Sequence, residues 1–198
     1  MIILNIKTDL SGLNSLQALL AHPAPVLDAG SRAIGNDLRS HFRARNAEGN
    51  KRGWPRTNFW SKIRSQVAEM PATDTEGKVV IAAPELAQKI YGGTITPKRG
   101  KFLALPMTAE AKKAGSPREG GMADLFIINC LKFGGGLWLA RNKGKGKRAA
   151  LELQYKLVPS VTQAPDPRAL PPPETLETSA GKAAETIIGR VLRGGGAS

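Results

Sequence analysis

The chain contains few of the residues that supply most enzyme nucleophiles and metal ligands. Its 198 residues include one cysteine, Cys130, and two histidines, His22 and His41, which are far apart in the sequence. A single cysteine excludes an intrachain disulfide, and no spacing typical of a zinc site is present. Cys130 lies in the apolar run 125–131, so we expect a small buried side chain rather than a nucleophile. This cysteine content favours a reducing compartment, the cytoplasm.

Acidic residues are also scarce, since 16 aspartates and glutamates stand against 29 lysines and arginines, for a net charge of +13. Asp74 and Glu76 form a close pair, but their segment, 71–77, has the composition of a solvated turn rather than of a two-carboxylate active site. The sequence contains no P-loop, nucleophile elbow or dinucleotide-binding glycine pattern. We therefore expect no enzymatic activity, no cofactor and no metal. The positive charge instead favours a polyanionic partner, either nucleic acid or an acidic protein surface.

Long hydrophobic runs and aromatic residues are scarce as well. No window approaches the ~20 apolar residues that a membrane span requires, and residues 1–7 lack the pattern of a signal peptide. We therefore expect a soluble protein that is made inside the cell and has no membrane partner. Apolar residues make up 41% of the chain and aromatics only 5%, so the core must consist mainly of aliphatic side chains.

The hydrophobic periodicity predicts an α+β fold, in which N-terminal helices pack on a mainly antiparallel β-sheet and a C-terminal helix follows. We expect one domain, 1–198, with an N-terminal extension at 1–25 and the closing helix at 174–193. Further helices are predicted at 11–20, 26–47, 59–67 and 84–90. Strands are predicted at 2–6, 78–83, 123–133, 136–140 and 150–157. Residues 108–122 are expected to form a mobile loop, and residues 158–173 a proline-rich arm.

Residues 91–106 carry the most informative pattern in the chain. A glycine turn, a short strand, a basic proline turn and a strand ending at Pro106 together predict a β-hairpin. No catalytic group lies within this segment, so it favours a binding or assembly element. The candidate assembly motif comprises Tyr91, Gly92, Gly93 and Pro97. The candidate partner-facing cations of this segment are Lys98, Arg99 and Lys101.

A second basic segment, residues 141–148, connects two predicted strands and holds five cations in eight residues without an acid. Its Gly-Lys-Gly-Lys turn has no side chains that could form a core. The segment therefore suits non-specific contact with DNA phosphates, although a solvated hairpin tip explains it equally well. The candidate DNA-facing or partner-facing residues are Arg141, Lys143, Lys145, Lys147 and Arg148.

A third basic stretch, residues 39–64, interleaves cations with aromatic residues. Such a pattern can contact phosphates and stack on bases, or it can form a solvated helix face above an aromatic core. The helical spacing of Phe42, Phe59 and Trp60 favours the core for these three residues. Trp54 precedes a proline in a loop, and its role stays open.

Three segments resemble the virion-morphogenesis and tail-completion proteins of tailed bacteriophages, the group that includes the Mu-like phages. The first, 50–60, is a basic loop that leads into a tryptophan-containing helix. The second, 90–106, contains the Gly-Gly-Thr-Ile segment, the Pro-Lys turn and the aliphatic-proline strand end that recur in this family. The third, 155–168, passes from a strand into a proline-rich stretch. Residues 1–25 resemble nothing in the family.

This resemblance implies a structural protein of the virion, without enzymatic activity or cofactor, that is assembled in the host cytoplasm. It implies a homo-oligomeric ring, expected to be a hexamer, at the head–tail junction, where it joins the tail to the DNA-filled head. The ring would contact adjacent connector and tail proteins and, without sequence specificity, genomic DNA. Two alternatives stay open: a tail terminator ring subunit, or a free basic protein that binds nucleic acid non-specifically.

Overall fold

The protein is described by a computed structural model. It describes residues 11–48, 57–118, 122, 124–131, 135–143 and 150–193. These residues form two compact units. The first unit comprises residues 11–48, 58–86 and 168–193, and the second comprises residue 57 and the described residues between 87 and 167. Whether residues 1–198 form a single domain stays a prediction. In the described part of the chain, no helix has both the length and the apolar character that a bilayer crossing needs.

The described elements are helices and antiparallel strands, with helices at the N-terminal end and one at the C-terminal end, so the predicted α+β fold is confirmed. The helices are α1 (Ser11–Ala21), α2 (Ala24–Ala47), α3 (Phe59–Ser65), α4 (Pro84–Tyr91), α5 (Ala109–Ala114) and α6 (Pro173–Leu192). The strands are β1 (Val67–Met70), β2 (Lys78–Ile81), β3 (Gly93–Ile95), β4 (Leu103–Pro106), β5 (Phe126–Asn129), β6 (Leu137–Lys143), β7 (Ala150–Val158) and β8 (Val161–Gln163).

The first unit is built around α2, which packs against α3 and α6, while α1 also packs on α6. Phe42 of α2 is fully buried and stacks on Trp60, with ring centroids 5.9 Å apart. The expected aromatic core is therefore confirmed at Phe42. Leu19 of α1 is buried too, so part of the predicted N-terminal extension belongs to this core. Burial of such a side chain contributes about 1.5–3 kcal/mol.

The strand β1 corrects the prediction that the third helix reaches Val67. Helix α3 ends at Ser65, and Val67 instead pairs with Ile81 of β2. The reason is tertiary, because Arg39 of α2 holds β1 in place. Its guanidinium donates two hydrogen bonds to the Glu69 carboxylate, at 2.5 and 2.7 Å, and a third to the Val67 carbonyl at 3.0 Å. Arg39, expected on a solvated helix face, is thus part of an intramolecular contact.

The second unit contains a four-stranded antiparallel sheet in the order β4-β7-β6-β5 and a separate pair, β3-β8. The prediction that residues 91–106 form a hairpin is therefore wrong in its pairing, although both strands exist. The chain leaves β3 and enters the other sheet at β4. Gly92 has a φ of +68°, and a Cβ there would lie 2.5 Å from the Gln163 carbonyl oxygen. This close approach to the end of β8 requires glycine.

Two segments that were predicted to be irregular contain regular secondary structure. In 108–122, expected to be a mobile loop, residues 109–114 form α5, because the Thr108 hydroxyl caps the helix and Ala111 is fully buried. In 158–173, expected to be a proline-rich arm, β8 pairs with β3, and Ala169 is buried. Apolar burial and strand pairing therefore outweigh the proline-rich composition. Cys130, expected to be buried, is half-exposed just beyond the end of β5.

Several predictions lie outside the described residues. They are the strand at 2–6, the basic loop at 49–56 with Trp54, and the glycine-rich tail at 194–198.

Replacing Gly35 of α2 with alanine should lower the free energy of unfolding by about 0.5–2 kcal/mol. The added Cβ would overlap Glu69 Oε1 and displace this carboxylate from Arg39. The lost charge-assisted contact, about 1.5–3 kcal/mol, exceeds the gain in helix propensity of about 1 kcal/mol. Urea denaturation measures the difference. The control is Gly181→Ala in α6, where the new Cβ meets no atom within 4 Å and should stabilise the helix. An equal gain from both variants would contradict the contact.

The Arg39–Glu69 pair should also make stability depend on acid pH. The hydrogen bond from Arg39 lowers the pKa of Glu69 below its ordinary value of 4.5. A carboxylate with a lowered folded pKa stabilises the protein fully above its unfolded pKa, and this contribution disappears as pH falls through the folded pKa. As the pH falls below 4.5, the free energy of unfolding should therefore decrease less steeply in Glu69→Gln than in the parent. Parallel slopes in urea titrations across this range would contradict the linkage.

Candidate functional site

One face of the four-stranded sheet forms the floor of a groove in the second unit. Ala104 pairs with Leu157, Leu139 pairs with Ile127, and Leu157 also pairs with Leu137, two residues before Leu139. Directly paired residues and residues two apart in a strand point to the same side. Each of the four strands therefore contributes one small or aliphatic side chain to this floor.

Helix α5 covers only the neighbouring part of the same face. Tyr155 pairs with Leu139, is fully buried, and donates a hydrogen bond from its hydroxyl to the Ala111 carbonyl at 3.1 Å. Its burial raises the pKa of its hydroxyl. In the described part of the chain, the remainder of the face is open as a groove of about 790 Å³. Ile127 is 64% exposed on this floor.

The walls of the groove come from two loop segments, 97–102 and 115–118. They bring four cations to its rim: Lys98, Arg99, Lys101 and Arg118. The two segments lie close together, because a Cβ added at Gly100 would be 3.9 Å from Arg118 Nη2. We call this site, the apolar floor with its four rim cations, the cationic groove.

The electrostatics of the cationic groove are one-sided. Within the described part of the chain, none of the four rim cations forms a salt bridge, and no acidic side chain lines the groove. Like charges gathered without a counter-charge raise the local positive potential, which attracts anionic groups. Three of these cations, Lys98, Arg99 and Lys101, are those that the sequence predicted to face a partner.

The candidate assembly motif has a different place in the structure. Gly93 pairs with Gln163 of β8, and Gly92 packs against the same segment, so both glycines serve contacts within the chain. Tyr91 is 77% exposed at the end of α4. Pro97 is half-buried in the wall of the cationic groove.

The basic connector 141–148 is in part a strand. Arg141 and Lys143 belong to β6 rather than to a loop. The Arg141 guanidinium donates to Glu110 and to Glu152, the latter at 3.0 Å, and Lys143 Nζ lies 3.4 Å from Glu152. Hydrogen bonds from Arg141 lower the pKa of Glu152. Lys145, Lys147 and Arg148 lie outside the described residues.

A polar network missed by the sequence analysis attaches α5 to the sheet. The Thr108 hydroxyl accepts a hydrogen bond from the Ala111 N–H at 3.1 Å and donates one to the side-chain oxygen of Gln154 at 2.5 Å. The Gln154 amide donates to Glu152 at 2.8 Å, and Gln154 is fully buried. The sequence signalled only the start of this helix. Thr108 is of a residue type that caps helices, and Glu110 is an acid in the first turn.

Several charged groups of the first unit are paired with one another. A cavity of about 510 Å³ includes Asp28, Arg32 and Glu69 in its lining. Arg32 pairs with Asp28 at 2.8 Å, and Glu69 binds Arg39. This pairing leaves the cavity without the excess charge that marks the cationic groove.

The two acids that the sequence singled out have structural contacts. Asp74 accepts a hydrogen bond from the Ala24 N–H at 3.2 Å and contacts His22 Nδ1 at 3.0 Å, while Glu76 pairs with Lys78. The contact with His22 lowers the pKa of Asp74. A search of the described residues finds no cluster of three or more His, Cys, Asp or Glu side chains placed to hold a metal ion.

Comparison with known proteins adds no assignment: the chain matches no protein-family model, no curated protein and no solved structure.

Replacing Thr108 with alanine should destabilise the protein by about 2–4 kcal/mol. The change removes a helix cap, worth about 1 kcal/mol, and leaves the buried oxygen of Gln154 unpaired, at about 1–3 kcal/mol. Thr108→Ser is the matched control, because it keeps the hydroxyl. Urea denaturation gives the total, and amide hydrogen exchange at Lys112 should show that the loss begins at α5. Equal stability of the two variants would contradict the capping role.

Proposed function

We propose that this chain is a structural subunit of the head–tail junction of a tailed-bacteriophage virion, where it assembles with identical subunits into a ring. The ring joins the tail to the DNA-filled head and contacts adjacent connector and tail proteins. In this proposal the protein acts by binding neighbours, and the second unit supplies a contact surface.

The observation that carries the proposal is the pairing of two segments that resemble tail-completion proteins. Residues 90–106 supply β3 and β4, and residues 155–168 supply β8 and the end of β7. Strand β3 pairs with β8 and strand β4 pairs with β7. The two resembling segments therefore form one structural unit, and the cationic turn between β3 and β4 forms a wall of the groove. A resemblance that coincides with a common structure supports the proposal more strongly than separate motifs would.

Exposed apolar side chains near one sheet edge support a role in assembly. Strand β5 is the last strand of the four-stranded sheet, and no described strand pairs with its outer side. Ile127 within β5 is 64% exposed, and Leu131 just after it is 83% exposed. An open strand edge with exposed apolar residues is a surface on which another chain can add.

The alternative of a free nucleic-acid-binding protein depends on the basic connector, and the described part of that connector lends it little support. Two of its five cations, Arg141 and Lys143, already contact carboxylates of this chain. A tail terminator ring would use the same contacts as a completion ring, and the position of the ring in the particle distinguishes these two.

The full-length chain should form a closed ring, expected to be a hexamer, in native mass spectrometry and negative-stain electron microscopy. Leu131→Glu should shift the population to smaller species, because it places a charge on the exposed apolar edge. Leu20→Glu is the matched control, since Leu20 is 73% exposed on α1, and this variant should keep the ring. Antibodies against the chain should label the head–tail junction of purified virions.

Three outcomes would contradict the proposal. The first is absence of the chain from purified virions, and the second is its presence there as a monomer. The third is a monomer that binds duplex DNA with a steep salt dependence, lost in a variant with alanine at Lys143, Lys145 and Lys147. That result would favour the free nucleic-acid-binding protein.

A further inference from the structure

We infer that the cationic groove binds an extended acidic peptide segment, carrying aliphatic side chains, that belongs to a different protein. This inference deepens the proposed function and rests on it in one respect, since a neighbour in the assembly would supply the segment. The chemistry of the groove itself defines what the segment must contain.

The floor of the groove selects aliphatic groups. It consists of Ala104, Leu157, Leu139 and Ile127, with Leu125 beside them. None of these side chains is aromatic, so the floor offers no ring on which a nucleic-acid base could stack. Among the described lining residues, Phe102 of the wall is the only aromatic one, and it is 40% exposed. Aliphatic side chains of a peptide gain free energy by covering this floor, whereas a sugar-phosphate chain would leave it uncovered.

The rim of the groove selects carboxylates. Lys98, Arg99, Lys101 and Arg118 surround an apolar surface without a salt-bridge partner among the described residues. Carboxylates beside the floor would neutralise these cations, and at the edge of a low-dielectric surface such pairs are stronger than in open water. Arginine can also bind a carboxylate through two parallel hydrogen bonds.

The charge of the whole protein argues against a second copy of this chain as the occupant. A second copy would bring 29 lysines and arginines against 16 acidic residues, so few of its segments could supply unpaired carboxylates to the rim. Seven carboxylates already have partners inside their own chain: Asp28, Glu48, Glu69, Asp74, Glu76, Glu110 and Glu152. The occupant is therefore a segment of an acidic partner.

The dimensions of the floor suit an extended chain. Four strands about 4.8 Å apart make a floor about 14 Å across, which four or five extended residues at about 3.3 Å each would span. Side chains alternate in an extended peptide, so every second residue can face the floor. The segment that fits best alternates aliphatic and acidic residues.

The test uses full-length protein and a fluorescein-labelled, amide-capped heptapeptide of alternating glutamate and leucine, with binding followed by fluorescence anisotropy. Combined substitution of Lys98, Arg99 and Lys101 by glutamine should weaken binding about tenfold or more, because three rim charges are lost. Ile127→Ser should weaken it about fivefold through lost apolar contact. Ile127 is 64% exposed, so its replacement leaves the fold intact.

Two controls separate this site from general charge attraction. Substitution of Arg43, Lys113 and Lys182 by glutamine removes the same charge from exposed positions outside the groove and should leave peptide affinity unchanged. A peptide of alternating glutamine and leucine should bind the parent protein much more weakly. Circular dichroism and urea denaturation confirm that each variant is folded.

Three results would overturn the inference: equal affinity of the parent and the groove variants, loss of binding in the control triple variant, or no effect of Ile127→Ser. Displacement of the peptide by a single-stranded oligodeoxythymidine at equal phosphate and carboxylate concentration, without any effect of Ile127→Ser, would instead assign the groove to nucleic-acid phosphates.

Native mass spectrometry of the same samples distinguishes failure of the groove inference from failure of the proposed ring. A ring that does not bind the peptide would refute only the groove inference. A monomer that binds the peptide would refute only the proposed ring.

Discussion

The polar network between α5 and strands β6 and β7 is the constraint on which the binding surface depends. A helix as short as α5 is not stable alone, because nucleation of a helix is costly. Here Thr108 caps it, Arg141 bridges Glu110 to Glu152, and the Tyr155 hydroxyl donates to one of its carbonyls. These contacts hold α5 over one part of the sheet face. Within the described residues the other part stays open, and the loop segments 97–102 and 115–118 make it a groove.

Ion pairs within the chain explain why some of its cations are neutralised and others are not. Arg141, Lys143 and, in the first unit, Arg39 contact carboxylates of the same chain. Their charges contribute to folding and are largely cancelled at the surface. The rim cations of the groove have no such partners among the described residues. Net charge alone would favour any polyanion, whereas an apolar floor beside uncancelled cations favours an acidic segment with aliphatic side chains.

Sequence patterns identified most elements but misassigned how some of them pair. Helices α2 and α6 follow the period of their apolar residues, and the strands of residues 91–106 lie where alternation and turn residues indicate. The predicted hairpin failed because β3 and β4 each have a distant partner, in β8 and β7. Local turn chemistry carries no information about such partners. Helix α5 was missed for a similar reason, because the groups that stabilise it, such as Gln154 and Tyr155, lie far along the chain.

The sequence by itself determined the α+β class, the aromatic core at Phe42, and the position of three cations at an exposed turn, because these depend on periodicity and composition close in the chain. Only the tertiary structure decided which cations are neutralised and which remain available. It also showed that Arg118 joins Lys98, Arg99 and Lys101 around an aliphatic floor. Strand register places side chains from four strands on one face, and register arises from long-range pairing that no local pattern specifies.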